Sequence, residues 1–295
     1  MAVAQSGSLR KAADILHISA SALHRQIALA EQDLGIELFE RLPAGLRLTT
    51  AGELLYHDVR EWQKQFRQTR MRFDEIKGLK RGEVLMGVID ALCEGFLVEL
   101  MVAQQASHPW LHLDVRVASS EDITAQIRNA DIDFGLILNP QHQPQLTVQS
   151  SVAFPMGIAL PVHHPLAQTQ GVLSLADTQP FVHIIPAAPL VIQPQVSALY
   201  GHHQLVPVGK IRCNNIHVMR SLVTQGAGVA VMSLMDALPA VQQGLLVFRP
   251  LREKNLNPLT LALCTAPKRQ LSRAAQTYMH AISDAMKILQ QHISG

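Results

Sequence analysis

The sequence predicts a small all-α head with a basic hairpin, one long linking helix, and an α/β body of two lobes. Three observations predict it. Two short amphipathic stretches separated by a three-residue joint lie between Leu9 and Thr50. A heptad-spaced apolar series follows, with no proline between Thr50 and Pro109. From Glu83 onward short apolar runs alternate with helical patterns, the order that stacks helices on parallel sheets.

In the head, Ala12, Ala13, Leu16 and Ile18 give an apolar face to a helix that Ser8 can cap, because a serine hydroxyl accepts from an otherwise unpaired backbone N–H. His17-Ile18-Ser19 resets the phase, and Ser19 can cap a second helix. There Ala22, Leu23, Ile27, Ala30 and Leu34 recur at steps of three and four and are expected to face inward. Ser21, His24, Arg25 and Gln26 fall on the other side or its flank. Gly35 ends the helix, since glycine enters the left-handed conformation without steric cost. Leu38-Phe39 packs back, and Arg41 and Arg47 flank the turn signal Pro43-Ala44-Gly45. Helix, tight joint, helix and wing make a winged helix-turn-helix. The geometry alone suits a DNA reader and also occurs in all-α proteins that never touch DNA.

Composition narrows the class. At 295 residues and 48% apolar content the chain can build several cores. No apolar run approaches the roughly 20 residues of a membrane span. No basic leader followed by an apolar core opens the chain, so a cytoplasmic location and no membrane partner are expected. Cys93, Cys213 and Cys264 are far apart and odd in number, which argues for reduced thiols rather than a disulfide framework. Charge is unevenly placed. Residues 1–82 hold 13 Lys/Arg against 10 Asp/Glu, and residues 83–295 hold 12 against 13. The charged density falls sharply there, which sets a domain boundary near Gly82 and leaves the basic excess with the head, where phosphate neutralisation needs it.

The linking segment, residues 53–82, carries Leu55, Val59, Trp62, Phe66, Thr69, Phe73 and Ile76 at steps of 4, 3, 4, 3, 4 and 3. That is a heptad seam, with Arg60, Glu61, Lys64, Arg67, Arg70, Arg72 and Glu75 outside it. Two readings stay open: a helix packed on its own domain, or a dimerisation helix holding two heads apart.

In the body, Val84–Ile89 reads as a buried strand, Leu92–Ala106 as a helix, Leu111–Val117 as a strand, Glu121–Asn129 as a helix and Ile132–Leu138 as a strand. A second unit begins near Gly157, with strands at Ile158–Leu160, Phe181–Ile185 and Val229–Met232 and a helix from Ile216 to Gln225. Leu259–Leu263 returns as a strand, and a helix from Leu271 to Gln290 closes the chain. In such sheets ligands bind beyond the carboxyl ends of strands, near helix N-termini. Ser119-Ser120-Glu121-Asp122 fits that description.

The head closely resembles the N-terminal domain of LysR-type transcriptional regulators. The matching pieces are Gly7-Ser8, Ala12-Ala13, Ile18-Ser19, Ala22-Leu23, Arg25-Gln26-Ile27, Glu31, Leu34-Gly35, Leu38-Phe39-Glu40-Arg41, Leu48-Thr49 and Ala51-Gly52. The body resembles the two-lobed, periplasmic-binding-protein-like effector domain of the same family through Ala130-Asp131-Ile132-Asp133, His164-Pro165-Leu166-Ala167, Leu173-Ser174-Leu175-Ala176-Asp177 and Gln225-Gly226-Ala227-Gly228-Val229. The resemblance covers essentially the whole chain. It implies a DNA-binding domain at 1–52, a linker and dimerisation helix at 53–82 using Leu55, Val59, Trp62, Phe66, Phe73 and Ile76, and an effector domain at 83–295. Its first lobe would take about 83–156 and 258–295, and its second about 157–257.

By that resemblance Ser19, Ala20, Ser21, His24 and Arg25 face the groove, and Gln26 flanks them. Relatives commonly carry Gln at the position of Ala20, Pro or Ser at Ser21, and Ser at His24, so a shifted site sequence is expected. Arg25 is the candidate for a bidentate guanine contact, and Arg41, Arg47, Thr49 and Thr50 are candidates for phosphates. The matching cleft positions are Asp90, Ala91, Ser119, Ser120, Val182, His183, Asn214, Asn215 and Ile216. Relatives often place a small hydroxyl residue where Asp90-Ala91 stands here, and an ionised Asp90 in the cleft implies an effector that is neutral, hydroxylated or cationic. Asp90 could equally point to solvent or cap the helix beginning at Leu92. The family's first head helix runs a dozen or so residues, most of which are absent before Ala4, so an upstream start is expected.

Other chemistry finds little support. Fourteen histidines supply no convergent metal-ligand spacing; there is no Gly-x-Ser-x-Gly turn and no Gly-rich phosphate loop. Peroxide-sensing members of the family use two neighbouring cysteines, whereas Cys213 has no such neighbour and reads as an inert thiol. No enzyme, cofactor or metal is expected. The expected partners are double-stranded DNA with an inverted repeat, a small-molecule effector, further copies of the chain in a homodimer or homotetramer, and RNA polymerase if the protein activates. The alternative is a small-molecule-binding protein of the periplasmic-binding fold whose shortened head does not bind DNA effectively.

Overall fold

A computed structural model describes residues 1–42, 45–76, 82–140, 145–169, 172–253 and 256–294, with backbone alone at 64, 67, 68, 70–72, 74–76 and 294. The Pro43-Ala44 turn, the segment around the expected boundary before Gly82, the outer charges Lys64, Arg67, Arg70, Arg72 and Glu75, and the side chain of Ile76 lie outside the described residues. The chain divides into two units, Met1–Lys77 and Gly78–Gly295.

In the first unit, α1 (Ala2–Ser6), α2 (Leu9–Leu16) and α3 (Ala20–Leu34) precede a hairpin of β1 (Phe39–Leu42) and β2 (Gly45–Leu48), followed by α4 (Thr50–Ile76). Local chemistry sets these ends. The Ser8 hydroxyl accepts from Lys11 N and the Ser19 hydroxyl from Ala22 N at 3.2 Å. Gly35 closes α3 with φ 68°, a conformation that costs other residues about 1 kcal/mol or more. The hairpin pairs antiparallel, Phe39 opposite Leu48 and Glu40 opposite Arg47. Both Leu38 N and Phe39 N donate to Glu31 Oε1, at 2.7 and 3.1 Å, which fastens the hairpin to α3.

The core of this unit is small: Val3, Ala12, Ala13 and Leu23, with Ile27, Phe39 and Leu46 against them. Here the expected inward face needs correction. Leu16, Ile18, Ala22 and Leu34 are exposed, since periodicity fixes which residues share a face and not what covers it; α1 supplies Val3 as its buried residue. Helix α4 is 27 residues long, about 40 Å at 1.5 Å per residue.

The second unit runs β3 (Gly82–Val88), a 3₁₀ turn (Asp90–Leu92), α5 (Phe96–Ser107), β4 (Leu111–Val117), α6 (Ser120–Arg128), β5 (Phe134–Leu138), β6 (Thr147–Phe154), β7 (Met156–Pro161), β8 (Val182–Pro186), α7 (Gln193–His202), β9 (Gly209–Cys213), α8 (Ile216–Thr224), β10 (Ala230–Ser233), α9 (Leu234–Gln242), β11 (Leu246–Pro250), β12 (Leu259–Thr265) and α10 (Arg273–Ser294). The first lobe is a five-stranded sheet ordered β4-β3-β5-β12-β6. The second holds a three-stranded sheet, β10-β7-β11, and the parallel pair β8-β9, joined by a bridge between His183 and Val229. The chain passes between lobes twice, at Pro155 between β6 and β7 and again between β11 and β12.

Two expectations change. The sheets are mixed rather than parallel: β3 runs parallel to β4 and β5, but β12 is antiparallel to β5 and β6, and β7 is antiparallel to both its neighbours. Strands reached by an interlobe crossing are not bound by the strand–helix–strand return that enforces parallel pairing. The helix expected from Leu92 to Ala106 is split, because Gly95 at φ 78° interrupts it and α5 starts only at Phe96. Helices cover the sheets with fully buried side chains. Ile123 and Ile127 of α6 lie at zero exposure with Phe134 and Leu136 of β5, each such side chain contributing roughly 1.5–3 kcal/mol of burial.

Candidate nucleic-acid interface and interlobe cleft

The start of α3 is a polar, exposed surface built on a capped helix end. Ser19 spends its hydroxyl on the cap and on Ser21 Oγ at 3.2 Å, so it holds the helix start in place. Ala20, Ser21, His24, Arg25 and Gln26 are all exposed. His24 Nε2 accepts from Arg41 Nη2 at 2.9 Å, which links α3 to β1 of the wing. Among the described residues Arg25 has no hydrogen-bond or ion-pair partner, so its guanidinium keeps its full fork of donors.

Strand β2 of the wing carries a further cation. Arg47 Nε lies 2.6 Å from Glu40 Oε1 on the facing strand, with the two side chains 66% and 40% exposed. Such a pair is worth at most about 1 kcal/mol, so a phosphate can compete for Arg47. Thr50 is exposed at the start of α4. Thr49 is the exception among the expected phosphate contacts. Its hydroxyl donates to Glu37 O at 2.7 Å and accepts from Gly52 N at 3.0 Å, so it is engaged in fixing the entry to α4.

Along α4, Leu55 and Val59 are half-buried, whereas Trp62, Phe66 and Phe73 are 59%, 66% and 55% exposed. Thr69 bonds back to Gln65 O. The heptad seam therefore presents an aromatic stripe to solvent over its central turns.

In the second unit the expected cleft residues separate into two groups. One group meets across the lobes. Asp90 Oδ2 accepts from Asn215 Nδ2 at 3.2 Å, and Asp90 Oδ1 lies 3.3 Å from His217 Nε2. Asn215 at the same time caps α8, its Oδ1 accepting from Val218 N at 3.0 Å. Asn214 is exposed beside it, Ile216 is buried behind it, and Ala91 packs partly against the core. The other group is occupied within its own lobe. The Ser119 hydroxyl donates to Asp122 Oδ2 at 2.8 Å and accepts from Asp122 N. The Ser120 hydroxyl accepts from Leu138 N at 3.0 Å, tying α6 to β5. Val182 is partly buried, and its carbonyl accepts from Val229 N at 2.9 Å.

His183 requires a correction. It has no exposed surface; Nε2 donates to Thr178 O at 2.8 Å, and Nδ1 lies 2.5 Å from the Tyr200 hydroxyl. A carbonyl can only accept, so the proton sits on Nε2 and Tyr200 is the donor to Nδ1. Burial pushes the His183 pKa down, opposed by the bond to Thr178, and pushes the Tyr200 hydroxyl up. Both ring nitrogens are committed inside the second lobe, so the side chain has nothing left to offer a ligand.

Two family models divide the chain. The bacterial regulatory helix-turn-helix protein model of the lysR family matches residues 1–53, and the LysR substrate binding domain matches residues 77–287. The chain belongs to the LysR family. It is similar to the Hca operon transcriptional activator HcaR of Escherichia coli, at 25% identity over all of this chain and 96% of that protein. The RuBisCO operon transcriptional regulator of Allochromatium vinosum is 25% identical over 87% of this chain and 89% of that one. Among solved structures, full-length CbnR complexed with its target DNA superposes with a TM-score of 0.64 at 18% identity, covering 96% of each chain. The effector binding domain of QuiR in complex with shikimate gives 0.54 at 15% identity, over 70% of this chain and 98% of that one. The protein is thus a LysR-type DNA-binding transcriptional regulator with a two-lobed effector-binding domain, and the family model of the helix-turn-helix extends over the whole head, against the alternative of a solely ligand-binding protein.

Sequence reasoning missed the residues that complete the interlobe contact of this LysR-type regulator. Glu94 Oε2 lies 2.5 Å from Arg220 Nη2, and Arg220 Nη1 donates to Asp236 O at 3.0 Å from a side chain that is nearly buried. His217 Nε2 also donates to Asp90 O at 3.0 Å. The available signal was local: Asn215, His217 and Arg220 share the first turns of one helix, and Asp90 and Glu94 share one turn. What pairs them lies more than 120 residues away in sequence. Cys93 sits in the same turn, and burial, then the Asp90 and Glu94 carboxylates, push its thiol up, away from the reactive thiolate. Cys213 donates to Asn215 O at 3.4 Å. Among the described residues no group of three or more His, Cys, Asp or Glu is placed to hold a metal ion, and no helix is long and apolar enough to cross a membrane.

Proposed function

We propose that two or four copies of this regulator pair through Leu55, Val59, Trp62, Phe66, Phe73 and Ile76 of α4 and set two heads on inverted half-sites of a promoter in the cytoplasm. The exposed aromatic stripe supports the pairing, and a two-fold assembly reads a two-fold site. In this reading α3 enters the major groove, with Arg25 on a guanine edge and His24 and Ser21 beside it. Ala20 offers at most a methyl contact to thymine, and Arg41, Arg47 and Thr50 bind phosphates. RNA polymerase is the further partner where the bound protein activates.

The observation that carries this reading is Arg25, exposed and unpartnered among the described residues on a helix whose N-terminus is capped. Arg25→Ala is expected to cost roughly 1–3 kcal/mol of DNA affinity and to relax base preference at one position. Gel-shift titration on a randomised half-site measures both, and an equal loss on every sequence overturns the assignment.

The effector enters between the lobes beside Asp90, Ala91, Asn214 and Asn215, and it is neutral, hydroxylated or cationic. An ionised Asp90 repels a ligand carboxylate by on the order of 1–4 kcal/mol at about 4 Å. Calorimetric titration with simple dicarboxylates tests this: tight binding that is unchanged in Asp90→Ala refutes it.

A further inference from the structure

Arg220 is a nearly buried cation whose two terminal nitrogens face different lobes. Nη1 is held by Asp236 O within the second lobe, and Nη2 reaches Glu94 in the first. A buried guanidinium needs a compensating charge, and removing one partner of such a pair leaves an expensive unpaired ion. The buried carboxyl of its own lobe that feels the Arg220 charge, Asp236, is a poor substitute, because burial pushes its pKa up to about 7. Glu94 is the half-exposed carboxylate that can supply the charge, and it does so only while the lobes are together.

His217 links this pair to the next. Its Nε2 faces Asp90, and its Nδ1 lies 3.1 Å from Arg220 Nη2 and 3.5 Å from Glu94 Oε1. Because Nε2 donates to the Asp90 carbonyl, a neutral ring leaves Nδ1 to accept from Arg220. Asn215 adds its amide to Asp90 Oδ2. Every cross-lobe contact in this cluster joins the short Asp90–Glu94 turn to one face of α8. The two lobes are otherwise joined covalently only through the crossings at Pro155 and between β11 and β12, so the cluster bears directly on the angle between them.

We propose that Asp90 and Glu94 of the first lobe and Asn215, His217 and Arg220 of the second form a clasp that holds the lobes of the unliganded effector domain together. The clasp requires no ligand, so it stands or falls separately from the effector reading above. It also makes Glu94, His217 and Arg220 determinants of how readily the cleft opens, although none of them has to touch the effector.

The test is an interlobe distance measured on the full-length chain without ligand. Spin labels are attached through ketone-bearing residues at exposed Asn129 in the first lobe and exposed His203 in the second, which leaves the native cysteines intact. Dilution with unlabelled chain restricts the signal to pairs within one chain. Glu94→Gln and His217→Ala remove contacts from opposite lobes. Each is expected to raise the long-distance population, and Glu94→Gln combined with Asp90→Asn to raise it at least about fivefold. Lys287→Gln, which breaks an exposed pair on α10, is expected to change nothing. Distributions that superpose on wild type in Glu94→Gln, in His217→Ala and in the double variant, with helical content retained, overturn the clasp. If the double variant unfolds, the two single variants decide.

Discussion

The two polar surfaces of this regulator differ in how their groups are satisfied. On the head, Arg25 is unpartnered among the described residues, and Arg41 and Arg47 are held only by exposed contacts to His24 and Glu40. In the cleft, Asp90, Asn215, His217, Glu94 and Arg220 have already found one another. The head is therefore prepared for an external polyanion, whose phosphates need only displace water and weak surface pairs. In the proposed reading, an effector beside Asp90 exchanges these internal partners for its own, so it competes with the protein's own contacts. That is the arrangement a switch needs, since a ligand shifts an equilibrium only by its differential affinity for the two states.

The sharpest way to break the contrast is through Asp236, which has no counterpart on the head. Its side chain is buried, and burial lifts its pKa from 3.8 to about 7, against the pull of the Ser233 N–H, Arg220 and His217. A carboxyl raised on folding is neutral in both states below the unfolded value, so its contribution is intact at low pH and is lost as pH rises through the folded value. Stability is expected to fall between about pH 4 and pH 7 by on the order of 2–4 kcal/mol from this group. Asp236→Asn removes that slope, because the amide carries no charge at any of these pH values. Urea unfolding of both chains across this range measures the difference. If the Asn variant instead loses stability relative to wild type as pH rises, Asp236 is an ionised partner of Arg220, and the case for Glu94 as the compensating charge falls with it.

The same contrast explains what the sequence made legible. The head is governed by local rules: Ser8 and Ser19 cap, Gly35 terminates, and the three-residue joint stands where the phase breaks. The exposure of Leu34 and Leu16 was not legible, because periodicity says which residues share a face and not what covers it. In the body, strands β3, β4, β5 and β12 of the first lobe were readable from apolar runs, but the direction of β12 was not, since alternation carries no polarity. Strand β6 was missed because Thr147 to Ser151 is mostly polar and exposed. The family resemblance implied a cleft position for His183, yet its strand turns it toward Tyr200 and Thr178. Asp90 was legible as unusual, but its meaning depended on Asn215 and His217, which lie more than 120 residues away and meet it only across the lobes.

A smaller effect probes the head from the other side. Arg47 is paired with Glu40, and in the proposed reading its net contribution to DNA binding is its phosphate attraction less the lost surface pair. Arg47→Ala is expected to weaken binding to all sequences alike and to reduce the salt slope by about 1. Glu40→Gln frees Arg47 without adding charge to it and is expected to strengthen binding by less than about 1 kcal/mol, again without altering base preference. Titrations of both variants at several salt concentrations separate this from base reading, because a phosphate contact changes the slope and leaves the sequence ranking intact. If Arg47→Ala reorders the preferred half-sites, the wing reads sequence, and the division between a specifying helix and a positioning wing has to be redrawn.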